Sequence, residues 1–409
     1  MSTETLLIEL GTEELPPKAL KSLGLAFRDG IVAGLAQREL GHGEVRWFAS
    51  PRRLAVQIAE VQLRAADKAL EVLGPPVDRA RDADGNWTPA AAGFARKQGV
   101  EPGDLQAIDT PKGARLGLRT TAAGVATSDC LNDIIHEAIA ALPIPKRMRW
   151  GASRVEFVRP VHWVVAMLGQ ASDFGAVLGL PTGNVTRGHR FHSEGDIVLE
   201  RPEDYEQALA DAKVVASFEQ RQQMIRDQVE VEASPQNATA VIDPDLLDEV
   251  TGLVEWPVAL TGSFEERFLE VPAEALVSSM KEHQKYFHLV DSEGRLKPNF
   301  ITLSNIESTD PVQVIAGNER VIRPRLADAA FFYETDKKTP LAARVEKLES
   351  IVFQQKLGTV ADKTRRVQRL AGALAPMIDT PADLAERAAL LSKTDLVTEM
   401  VLEFADMQG

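Results

Sequence analysis

Up to about residue 338 the chain alternates short apolar runs with amphipathic stretches of helical period; from Pro340 onward only the helical period remains. That switch constrains the fold class. It calls for a mixed α/β (α+β), multi-domain N-terminal portion followed by an all-helical region. "TLLIEL" reads as a buried strand ended by Gly11, with a helix after Pro16-Pro17 running to about Leu40. Residues 45–61 read as strand, turn at Ser50-Pro51, strand. A short helix starts at Thr88-Pro89, residues 101–124 form a hairpin excursion, and "SDCLNDIIHEAIAAL" is an amphipathic helix stopped by prolines. "RPVHWVVAMLG" is a buried strand whose sheet should also take strands near 176–180 and 196–199. Helices are expected over 203–214, 218–233 and 245–255, and again in "VPAEALVSSMKEHQ". A hairpin follows at 285–305, then a helix interrupted at Pro324. The expected domains are 1–200, 201–337 and 338–409.

At 409 residues, 44% of them hydrophobic, the chain is long enough for several cores. No apolar run approaches the length of a membrane span, and the N-terminus lacks the pattern of a secretory signal. Cys130 is the single cysteine, which excludes an internal disulfide and a multi-cysteine zinc site, and a reducing cytoplasm is the expected compartment. The net charge of −14 argues against a protein that coats nucleic acid uniformly. Locally the balance reverses. From Pro143 to His192 seven Lys/Arg face two acids, whereas from Ser193 to Val250 four basic residues face fifteen acids. A basic island of this kind suits a polyanion, or equally a solvated face with internal ion pairs.

Catalytic signatures are missing. There is no phosphate-binding glycine loop, since Gly41-His42-Gly43 lacks a third glycine, and no G-x-S-x-G elbow. Cys130 sits within a periodic helix, as a structural thiol would. His189 and His192 are too closely flanked by Arg187 and Arg190 to suit a cation, so neither catalytic nor metal-ligating residues are assigned. What recurs is cations beside aromatic rings. The candidates are Arg52 and Arg53 in "SPRRLA"; Lys146, Arg147 and Arg149 beside Trp150; Arg159; and Arg187, His189 and Arg190 around Gly188 and Phe191. Lys281, His283 and Lys285 in "MKEHQKYFH" and Arg320, Arg323 and Arg325 around Pro324 complete the set. Lys281 and Lys285, four apart, would share a helix face. Guanidinium and planar rings together suit RNA, while lysine stems and aromatics also cover ordinary core edges.

Long stretches of the chain resemble one family. "LLIELGTEELPPKAL", "SPRRLAV", "DADGNWTPAAAGFAR", "KRMRWG", "FVRPVHWVVAMLG", "TRGHRFH", "SMKEHQKYF", "GNERVIRPRLADAAFFYETDKK" and "KTDLVTEMVLEF" follow in the order found in the β subunit of the bacterial two-subunit glycyl-tRNA synthetase. The resemblance implies a tRNA-binding, non-catalytic subunit. It implies an α subunit as partner in an α2β2 assembly, with glycine tRNA as the RNA. ATP and Mg²⁺ would be used by that α subunit and not bound here. The helical end resembles an HD-like domain, yet Lys393-Thr394-Asp395 stands where its metal motif would be sought, and no histidine follows His288. The family continues past Gly409 to an anticodon-binding domain, so an N-terminal fragment is expected. Two other readings stay open: an assembly scaffold that touches no RNA, and a phosphohydrolase or editing hydrolase.

Overall fold

In the computed structural model, which describes residues 2–82, 84–111 and 113–409, Thr3–Thr12 forms a central strand, β1, whose last seven residues are all buried. Its apolar run is continuous because partners cover both edges and both faces. The helix α1 (Pro17–Gln37) follows, then β2 (Val45–Ser50), β3 (Arg53–Gln62) and β4 (Lys68–Pro76). Next come α2 (Pro89–Gln98), β5 (Gln106–Ile108), β6 (Arg115–Ala122) and α3 (Thr127–Ala140). The strands β7 (Met148–Arg149), β8 (Glu156–Phe157), β9 (Val161–Leu168), β10 (Ala176–Val177), β11 (Leu180–Gly183), β12 (Val185–Arg187) and β13 (Asp196–Val198) lead to the helix α4 (Tyr205–Asp211).

These elements make the first of two compact units, which holds the residues up to Leu15, Ala19–Gly188 and Gly195–Asp211. Its main sheet has the order β10-β11-β9-β1-β3-β2. All neighbours are antiparallel except β11 with β9. Helix α1 lies close against α3: a Cβ on Gly30 would come within 2.9 Å of Ala138. A separate sheet, β4-β6-β5, carries α2, whose start is set by Thr88 accepting from Ala91 N and whose end is set by Gly99 at φ 73°. The hairpin expected over 101–124 is this β5–β6 pair; residue 112, within that range, lies outside the described residues. The strand expected near 196–199 does not join the main sheet. It pairs with β12 as an isolated ribbon.

The second unit comprises Pro16–Lys18, His189–Glu194 and Ala212–Gly409. It contains α5 (Phe218–Ala233), β14 (Thr239–Ala240), α6 (Pro244–Thr251), β15 (Val258–Ser263), α7 (Ala273–Ser278), β16 (Phe287–Val290), β17 (Leu296–Ser304) and α8 (Pro311–Lys337). The antiparallel sheet β14-β16-β17-β15 is covered on both faces. Ile225 and Val229 of α5 and Leu246, Leu247 and Val250 of α6 pack with Phe287, Leu289 and Ile301. Leu276 of α7 and Ile322, Leu326 and Ala329 of α8 pack with Tyr286 and Phe300.

Three sequence expectations are corrected here. Helix α8 is not interrupted at Pro324: it runs unbroken for 27 residues, because Ile322, Leu326 and Ala329 on either side of the proline are fully buried and tertiary packing overrides the lost hydrogen bond. The chain after Pro340 is not purely helical either. After 3₁₀ turns over Leu341–Ser350, β18 (Val352–Gln354) and β19 (Gly358–Thr359) form a small ladder; Val352 and Phe353 favour a strand, and Gly358 supplies φ 87°. Finally, "SSMKEHQ" ends not as an α-helix but as a π-helical turn, Ser279–Gln284, closed by Lys285 at φ 61°. The helices α9 (Val360–Leu374), α10 (Ala382–Leu391) and α11 (Glu399–Glu403) complete the unit. Asp336 anchors this end: it pairs with buried Arg344 at 2.9 Å and accepts from Glu399 N and Met400 N at the start of α11.

Candidate functional site

Antiparallel order brings three distant sequence stretches to one end of the main sheet. The C-terminal end of β1 lies beside the N-terminal ends of β3 and β9, so Gly11 faces Arg53 on one side and Trp163 on the other. A Cβ on Gly11 would fall 1.8 Å from the Trp163 ring; only glycine lets the indole lie against this strand. Two residues earlier, Glu9 is wholly buried. Its Oε1 accepts from Trp163 Nε1, and from Thr186 Oγ1 at 2.6 Å. Its Oε2 lies 3.7 Å from Nη1 of Arg53, which is also wholly buried and donates from Nη2 to the Arg187 carbonyl at 2.9 Å. Tyr205 closes the cluster, edge-on to Phe48; burial first, and then the Glu9 charge, pushes its phenol well above its usual range.

The indole of Trp163 is a platform for cations. The guanidinium carbons of Arg52, Arg53 and Arg187 stand 5.7, 5.8 and 5.3 Å from its ring centroid, inside cation–π range. Arg52 is largely buried, whereas Arg187 is exposed and pairs at 3.1 Å with Asp196, which is exposed as well. Such a surface pair contributes little and exchanges readily for another anion. Arg159 fastens the same end of the sheet by donating to the carbonyls of Glu14 and Val158. Beside it, His162 Nε2 and Glu13 Oε1 are 2.9 Å apart.

The other sequence candidates are placed elsewhere. Lys146 is exposed, Arg147 donates to the Ala140 carbonyl, and Arg149 pairs with Glu156 across the β7–β8 ribbon. In the second unit, Lys281 pairs with Asp243 and Lys285 with Glu249, each at 3.0 Å. Both lysines therefore turn toward α6, and their pairing holds the π-helical turn against it. Tyr286 and Phe287 are buried, as the sequence suggests; burial pushes the Tyr286 phenol up to about 12, and it donates to Asn318. His283 is exposed near Phe404. Arg323 pairs with Glu265 at 2.7 Å, while Arg320 and Arg325 lie exposed on α8.

His189 is 1% exposed and belongs to the second unit. Its Nδ1 accepts from Phe191 N at 3.2 Å, its ring lies 4.8 Å from that of His192, and His192 Nε2 accepts from Glu307 N at 2.9 Å. Burial lowers the His189 pKa, the nearby His192 lowers it further, and Glu255 opposes the shift. Each ring thus accepts a backbone N–H. Arg190 is exposed beside them. Among the described residues no group of three or more His, Cys, Asp or Glu side chains could hold a metal ion.

Sequence reading missed Glu9, Trp163, Thr186 and Tyr205. Only Glu9 left a signal, as the one acid within the buried run "TLLIEL".

A family model described as glycyl-tRNA synthetase beta subunit matches residues 6–409. Curated relatives named glycine–tRNA ligase beta subunit are 56% identical over 409 residues in Chromohalobacter salexigens, 55% over 411 in Marinobacter nauticus and 53% over 410 in Hahella chejuensis. Each match covers 100% of this chain and 59% of the relative's own length.

Two outcomes are expected. Glu9→Gln keeps an acceptor for Trp163 but removes the charge facing Arg53, at an expected cost of about 3–5 kcal/mol in denaturant unfolding; a loss below about 1 kcal/mol would show that the pair is dispensable. For His189 the folded-state pKa lies below the unfolded one, so the unfolded chain binds the proton more readily. Its contribution is whole above about pH 6.5 and is lost progressively as pH falls from there through the lower folded-state pKa. The fall in melting temperature between about pH 7.5 and about pH 5.5 should shrink in His189→Asn; an unchanged fall would contradict this.

Proposed function

The chain belongs to the family of glycyl-tRNA synthetase β subunits, and on that premise we propose that it is a tRNA-binding, non-catalytic part of a glycine–tRNA ligase. In this reading it supports the ATP-dependent attachment of glycine to its tRNA, in the cytoplasm, with a catalytic α subunit as partner in an α2β2 assembly. ATP and Mg²⁺ belong to that partner, and no step is assigned to them on these residues.

The observation that carries the reading is the exposed Arg187 guanidinium held over Trp163 beside Arg52, with a buried carboxylate fixing the platform beneath. Pre-ordered guanidinium groups at a surface suit phosphate oxygens, which they bind bidentately. An exposed Asp196 is easily replaced there by a stronger anion. Lys146, Arg190, Arg320 and Arg325 are exposed cations that could extend an RNA footprint within their own units. Lys281 and Lys285 are the weaker candidates, since α6 carboxylates already engage them.

A second reading, a docking role toward another polypeptide, draws on α9, where Val367, Leu370 and Leu374 are 41%, 59% and 47% exposed along one helix face. The two readings are compatible, because α9 carries none of the candidate RNA-binding cations.

Binding of glycine tRNA should weaken steeply between about 50 and about 200 mM salt, and Arg187→Gln should reduce the slope of log K against log salt by about 1. An unchanged slope would remove Arg187 from the RNA contacts.

A further inference from the structure

We propose that Phe191 is a stacking platform for an unpaired nucleobase of an RNA strand, an inference that rests on the tRNA-binding reading above. Phe191 is 75% exposed, more than Phe331 at 64% or Phe353 at 42%. Its backbone is nevertheless held firmly. His189 N donates to the Ala212 carbonyl, His189 Nδ1 accepts from Phe191 N, the His189 carbonyl accepts from Ser193 N, and His192 Nε2 accepts from Glu307 N. Two histidines, one wholly inside and one half-buried, thus pin the turn on both sides of a phenyl ring that points outward. An exposed ring on a loose tail would be ordinary; one on a turn fastened at four points is presented.

The surroundings choose the kind of ligand. A protein hot spot seats its aromatic within a rim of apolar neighbours that exclude water. Around Phe191 the chain neighbours are Arg190, His192, Ser193 and Glu194, all polar. The Phe191 ring, tilted 52° to the His189 ring 6.1 Å away and otherwise set among polar chain neighbours, offers a flat apolar face that fits the π-face of a single base flipped out of a helix. Arg190, also exposed, stands next to it in the chain and can meet the phosphate that accompanies such a base. Stacking of this kind tolerates any base, so the ring would add affinity for unpaired strands without reading sequence.

The test uses two fluorescein-labelled RNAs of equal length, one single-stranded and one a closed hairpin duplex. Their affinities for the wild-type chain, Phe191→Ala and Phe191→Tyr are measured across a salt series. Phe191→Ala should weaken the single strand about tenfold and spare the duplex, with the salt slope unchanged because no charge is lost; Phe191→Tyr should bind as wild type. Because the ring is exposed, all three proteins should melt alike. Wild-type affinity in Phe191→Ala with a normal salt slope would overturn the inference and leave the tRNA-binding reading standing. Equal losses on both RNAs would overturn it too, since a base platform cannot serve a closed duplex. Intact RNA binding combined with loss of binding to another synthetase subunit would reassign the ring to a protein contact. No salt-sensitive binding of either RNA by wild type would defeat the underlying reading first.

Discussion

The first unit depends on one buried carboxylate. Glu9 sits in the middle strand of the main sheet with no exposure, and three strands must supply its partners: Trp163 from β9, Thr186 from β12 and Arg53 from β3. A lone charge there would be very costly, so the carboxylate and Arg53 are stable only together and only when the strands are in register. The same register sets Gly11 against the indole and leaves Trp163 as the floor on which Arg52 and Arg187 stand. The exposed Arg187 guanidinium is thus ordered from below, by a wholly buried carboxylate.

The second unit uses ion pairs differently. Asp336 and Arg344 join the end of α8 to the 3₁₀ turns and to the start of α11, which fastens the C-terminal helices to the sheet-bearing core. Lys281 and Lys285 perform a similar service between the π-helical turn and α6. These side chains are buried or half-buried and matched, and they act in packing. Arg320, Arg323 and Arg325 of α8, by contrast, are exposed, while Ile322, Leu326 and Ala329 of the same helix are buried.

Much of the fold was legible because local signals decide it. Strand-forming runs at residues 5–10 and 161–168, the helix before Pro143, and the turn at Gly294 all follow from periodicity and turn chemistry, and each is found. Local rules failed where packing outweighed them, as at Pro324, or where a run fitted two periods, as at Val352 and Phe353. The candidate site was legible only in pieces. "SPRR", Arg159 and "TR" each drew attention for their cations, while Trp163 read only as part of a buried strand; their meeting depends on contacts between segments far apart in the chain, which no spacing reveals. The spacing of Lys281 and Lys285 suggested a shared outward face; the left-handed backbone at Lys285 and the acids of α6 turned both inward.

In the proposed function, the rim of Trp163 presents arginine to RNA phosphate. Arginine-selective chemical modification, mapped by mass spectrometry with and without saturating glycine tRNA, tests it most directly. Arg187 should react in the free protein and be protected by tRNA, while Arg201, exposed and paired with Asp204, should react equally in both. Equal modification of Arg187 with tRNA bound would contradict the claim.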